Sequence, residues 1–74
     1  MPVNNLKLIR IKAGLTQKEL AKKSGVNFRM IQHYEQGDKD IKKAAAETVF
    51  KLAKALDCNI TDLFLNSTSS QDVL

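Results

Sequence analysis

The chain has 74 residues, 43% of them hydrophobic, with a single cysteine and a formal net charge of +4. A chain this short makes one domain that buries only about 60% of its unfolded surface, which leaves little room for an internal catalytic cleft. No run approaches the ~18 apolar residues of a membrane span, the opening MPVNNLKLIR lacks the apolar core of a signal peptide, and Cys58 has no second cysteine to pair with, so the expected compartment is the reducing cytoplasm.

The first expected helix covers Asn5 to Ala13, with Leu6, Ile9 and Ala13 on one face and Gly14 as its stop. The stretch LTQKELAKKSGVNFRMIQHYEQG, Leu15 to Gly37, follows and carries most of the information. Thr16 and Glu19 have the spacing of a capping box, and Leu15 and Leu20 the spacing of an apolar staple across a helix start. A second helix, Gln17 to Ser24, should end at Gly25, which reaches the left-handed conformation at low steric cost. Asn27 then caps a third helix, Phe28 to Gln36, with Val26 and Ile31 as a second staple and Gly37 as its stop. Only Gly25 and Val26 separate Ser24 from Asn27. The two helices therefore cannot lie antiparallel and must cross steeply, as a helix-turn-helix does.

A polar link, Asp38-Lys39-Asp40, leads to the longest expected helix, roughly Lys43 to Leu56, with an apolar stripe of Ala45, Val49, Leu52, Ala53 and Leu56. Thr61 is read as the cap of a last short helix, Asp62 to Leu65, with Ile60 and Leu65 as its staple. The expected organisation is one all-α, five-helix domain over residues 1–66 and a disordered polar tail over 67–74. No repeats and no period-two strands occur. Cys58 reads as a small buried apolar thiol.

The charge is unevenly placed. Residues 1–36 hold seven Lys or Arg against Glu19 and Glu35, a net of +5, whereas the remainder nets −1. The excess positive charge thus lies in the segment with the helix-turn-helix signature, where a phosphate-facing surface requires it.

Leu6, Arg10, the GLTQ of Gly14 to Gln17, the ELA of Glu19 to Ala21, Gly25-Val26, Ile31, the ExG of Glu35 to Gly37 and the LAKAL of Leu52 to Leu56 together resemble the lambda repressor-like, or Cro/C1-type, helix-turn-helix family. The resemblance spans about residues 5 to 65. It implies a five-helix domain in which the third helix enters the major groove of double-stranded DNA and the second lies across it. It also implies that Gln17 binds phosphate and braces the recognition helix, and that Arg10 and Glu35 form a structural ion pair.

A helix laid in the groove presents its N-terminal residues and the face opposite the core. Ile31 and Tyr34 are expected to face the core, which leaves Phe28, Arg29, Gln32 and His33 as candidate base readers, with Asn27 near a phosphate. Arg29 suits guanine O6 and N7, Gln32 suits adenine N6 and N7, and Phe28 suits a thymine methyl. His33 can donate to guanine or, when protonated, to a phosphate. Lys18, Lys39, Lys42 and Lys43 are further candidate phosphate contacts. The segment from Gly37 to Leu52 is a few residues longer than the family pattern, lacks its proline and contains Asp38 and Asp40. It is therefore read as a helix that starts about one turn early, near Lys42 or Lys43.

No metal is expected, since His33 has no second histidine or nearby cysteine at ligand spacing. No cofactor is implied. No nucleophile, base and orienting acid occur together, so an enzyme is not expected, and the lone Tyr34 offers no stacking platform for RNA. The leading functional expectation is a DNA-binding regulator, a repressor acting as a homodimer on a palindromic operator, with Phe50, Phe64 and Leu65 competing between core and dimer contact. The alternative is an antitoxin or coactivator-like adaptor whose main partner is a protein.

Overall fold

The computed structural model describes residues 5–64. They form five α-helices, α1 (Asn5–Lys12), α2 (Gln17–Ser24), α3 (Phe28–Gln36), α4 (Ala46–Leu56) and α5 (Ile60–Phe64), with a 3-10 turn at Ile41–Lys43 before α4. No strand occurs among the described residues. The expected tail and the Leu65 half of the last staple lie outside them.

The start of α2 is closed by both bonds of the capping box: the Glu19 amide donates to Thr16 Oγ1 at 3.0 Å, and the Thr16 amide donates to Glu19 Oε1 at 2.8 Å. Asn27 caps α3 in the same sense, its Oδ1 accepting from the Arg29 amide at 2.8 Å. Between them, Gly25 ends α2 at φ +78°. A Cβ there would meet no neighbour, so the cost of replacing Gly25 is backbone strain alone. Gly25→Ala is expected to lower stability by about 1 kcal/mol through the left-handed conformation, with Gly25→Asn milder because Asn visits that region more readily. Thermal unfolding of the two variants measures the difference.

Helix α2 packs on both α3 and α4, α1 packs on α3 and α5, and α4 packs on α5. The core lies where these faces meet: Leu6, Leu20, Val26, Ile31, Tyr34, Ile41, Val49, Leu52, Ala53, Ala55, Leu56 and Leu63 are buried. The Asn5 side-chain amide donates to the Asp62 carbonyl and ties α1 to α5. Cys58 is partly buried beside this core. Burial, and then the carboxylates of Asp62 and Asp57, push its thiol above the ordinary cysteine range, which keeps it protonated and a poor nucleophile.

Four sequence expectations need correction. Ala13 lies beyond the end of α1 and is exposed, because Gly14 already turns the chain away. Helix α4 does not start early at Lys42 or Lys43; it starts at Ala46. Asp40 Oδ1 accepts from the Lys42 amide at 2.9 Å and starts a separate 3-10 turn that buries Ile41. Ala44 and Ala45 then run extended, and Ala45 is exposed rather than part of the core stripe. Finally, α5 begins at Ile60, so Thr61 is inside it and not its cap. Asp62 supplies the closing bond, its Oδ2 accepting from the Asn59 amide at 3.1 Å.

Candidate nucleic-acid interface

Helix α3 is held at both ends. At its start, the Lys18 ammonium of α2 lies 5.9 Å from the centroid of the Phe28 ring, within reach of a cation–π attraction. Two residues expected to face DNA are thus also partners of one another, and Phe28 is partly buried. At its end, Arg10 grips Glu35 with two bonds: Nε to Oε2 at 2.6 Å and Nη2 to Oε1 at 3.1 Å. Gln17 Nε2 donates to the same Oε1 at 3.0 Å, and Arg10 Nη1 donates to the Leu15 carbonyl at 2.7 Å.

This cluster joins α1, the loop before α2, the first residue of α2 and the last turn of α3. The pair is withdrawn from water, with side-chain exposures of 11% for Arg10 and 2% for Glu35. Its fork-to-fork geometry is the one in which an arginine best neutralises a carboxylate. Glu35 is the only acidic residue of α3. Turned inward and neutralised, it leaves no carboxylate from the helix's own residues on the outer face.

That outer face carries Arg29, which is exposed, with Gln32 and His33 partly exposed one turn further on. Ile31 and Tyr34 are on the opposite, buried side. His33 Nδ1 is 3.1 Å from Asp38 Oδ2. Asp38 was absent from the sequence-based set, although a carboxylate just after the helix end and five residues from a histidine on its last turns is a recognisable signal. Gln36 is also exposed and lies two turns beyond Arg29 on the same face.

The basic residues expected to meet phosphate are more dispersed. Asn27 Oδ1 is occupied by its cap, leaving its amide NH2 free to donate. Gln17 faces Glu35 rather than standing clear. Lys39, Lys42 and Lys43 are exposed around the 3-10 turn, and the Lys39 amide donates to the His33 carbonyl at 3.3 Å, which draws this loop against the end of α3. Among the described residues, no group of three or more His, Cys, Asp or Glu side chains is placed to hold a metal ion, and no helix is long and apolar enough to cross a membrane.

The arrangement is that of a DNA-binding helix-turn-helix domain: two capped helices crossing at a glycine turn, the second presenting arginine and amide side chains from a face on which its own single carboxylate, Glu35, does not stand. A family model described as helix-turn-helix matches residues 6–63. The chain belongs to this family, of Cro/C1-type regulators. Among solved structures, the crystal structure of a hypothetical transcription factor, NHTF, from Neisseria is similar in fold, with a TM-score of 0.75 at 24% identity over 95% of this chain and 77% of that one. No curated protein matches the chain significantly.

Proposed function

We propose that the chain reads specific sequences in double-stranded DNA and acts as a small transcriptional repressor, as a homodimer on a palindromic operator. The observation that carries this reading is the inward turn of Glu35. The one carboxylate of the recognition helix is bound by Arg10 and Gln17, so Arg29, Gln32 and His33 approach the groove without a repelling charge on their own helix. Arg29 bonds guanine, Gln32 bonds adenine, His33 donates to a base or phosphate, and Phe28, braced by Lys18, touches a thymine methyl. Gln17, Lys18, Asn27, Lys39, Lys42 and Lys43 position the domain on the backbone.

Two copies place their recognition helices about 34 Å apart, one turn of DNA. Of the three apolar residues that compete for a dimer contact, Leu65 lies outside the described residues, Phe50 is on α4, and Phe64 on α5 is partly exposed; Ile60, not among the three, shares the face of Phe64 and is 39% exposed.

A mobility shift over a range of salt tests the reading. The association constant is expected to fall steeply with salt and to differ between cognate and scrambled duplexes. Gln17→Ala is expected to weaken cognate and scrambled binding alike by about 1 kcal/mol, as loss of a phosphate contact does. A cognate-only loss would give Gln17 a different role.

A further inference from the structure

Away from α3, the C-terminal end of α2 and the outer face of α4 enclose an open groove of about 600 Å³ lined by Lys23, Ser24, Glu47, Phe50, Lys51, Lys54 and Ala55. None of these residues belongs to α3, to the glutamate cluster or to the loop after α3. Phe50 is 57% exposed in the groove wall, the largest exposure of any large apolar residue among those described. The stripe that buries Val49, Leu52, Ala53 and Leu56 leaves it at its edge, turned toward solvent. An aromatic ring presented to water in the wall of an open groove is the kind of anchor that protein interfaces are built on.

The charge around the ring selects the occupant. Three lysines face one glutamate, and Glu47 is already engaged by Lys51 at 3.6 Å. Within the described residues, Lys23 and Lys54 have no ion-pair partner. A second copy docked symmetrically on this face would set a net charge of +2 against the same, with Lys23 and Lys54 of each copy left over once Glu47 is engaged by Lys51, a like-charge contact that opposes association. Duplex DNA answers the lysines and leaves the ring without an apolar partner. A segment with apolar side chains flanked by carboxylates satisfies both.

We propose that the α2–α4 groove is a docking site for an acidic, amphipathic protein segment whose apolar anchor packs on Phe50 while its carboxylates pair with Lys23, Lys51 and Lys54. The site is separate from the DNA-reading surface, so the chain can hold DNA and a second protein at once. Its occupant is recognised by charge at the rim and by apolar burial at the centre, as in helix-in-groove recognition.

The test is peptide display against the full chain, using random peptides of about a dozen residues, enough to span α4 as a helix. Enriched sequences are expected to combine an aromatic or aliphatic anchor with flanking Asp or Glu. Their affinity is expected to fall roughly tenfold with Phe50→Ala, the loss of a central anchor, and to fall also with Lys54→Glu. Phe50→Ala is expected to keep the parent's unfolding temperature and DNA affinity, since the ring is exposed and off the DNA face. Enriched peptides without acidic bias, or peptides indifferent to Phe50→Ala, overturn the proposal. So does sedimentation showing a dimer that Phe50→Ala dissociates, which assigns the face to a second copy. Loss of DNA affinity in Lys54→Glu with no peptide binding assigns it to the DNA backbone and overturns it equally.

Discussion

Glu35→Ala is expected to lower the stability of the domain by about 3 kcal/mol, the low end of what removing one partner of a buried ion pair costs. Arg10, 11% exposed, would keep its bond to the Leu15 carbonyl but lose both carboxylate oxygens, leaving a positive charge in a site mostly withdrawn from water. Gln17 would lose its acceptor as well. In a domain of this size each kcal/mol shifts the unfolding midpoint by roughly 4–8 °C, so the change is large and read directly by thermal or urea denaturation. Glu35→Gln keeps the shape and part of the hydrogen bonding and should fall between the two. Replacing both partners, Arg10→Met with Glu35→Leu, should recover much of the loss, because an apolar pair of similar volume does not need solvation. An unchanged midpoint in Glu35→Ala would show that the cluster does not hold the helices.

Arg29→Ala is expected to act on the other side of the account, reducing affinity for the cognate site by about 1–3 kcal/mol while leaving stability within about 0.5 kcal/mol of the parent. The side chain is exposed, and its amide, not its guanidinium, serves the Asn27 cap. The diagnostic quantity is discrimination. Losing a bidentate guanine contact should flatten the preference at one base position per half-site, whereas losing a phosphate contact weakens all sequences alike. Competition between the cognate duplex and single-base variants separates these outcomes, and a preference that survives Arg29→Ala would remove Arg29 from the base-reading set.

The parts of the fold that could be read in the sequence are those whose chemistry is local. Thr16 with Glu19, Asn27 at the next start, and the glycines at 25 and 37 each act within a few residues, and their bonds and positive φ angles occur at those positions. The parts that could not be read depend on residues far apart or on burial overruling propensity. Ala44-Ala45-Ala46 looks like the body of a helix, yet the need to bury Ile41 and the Asp40 cap hold Ala44 and Ala45 extended. Thr61 has the right chemistry for a cap, but Asp62 reaching back to Asn59 starts the helix sooner.

The same division runs through the candidate site. That Arg29, Gln32 and His33 share an outward face while Ile31 and Tyr34 turn inward follows from helical periodicity alone. The cross-links that set their surroundings do not: Lys18 over Phe28 and Gln17 on Glu35 join different elements. The Asp38 contact to His33 depends on how the chain leaves Gly37. Phe50 could be read equally as core or surface, since it follows Val49 by a single residue at the edge of the buried stripe. Only the packing of α4 on α2 and α5 decides that it is exposed.

Selection of bound sites from a random pool of double-stranded DNA tests the central claim most directly. The expected result is an enriched inverted repeat whose half-sites lie about one helical turn apart, containing a guanine whose enrichment disappears when the selection is repeated with Arg29→Ala. A pool that shows no enriched motif after repeated rounds, with binding that responds to salt but not to sequence, would contradict it.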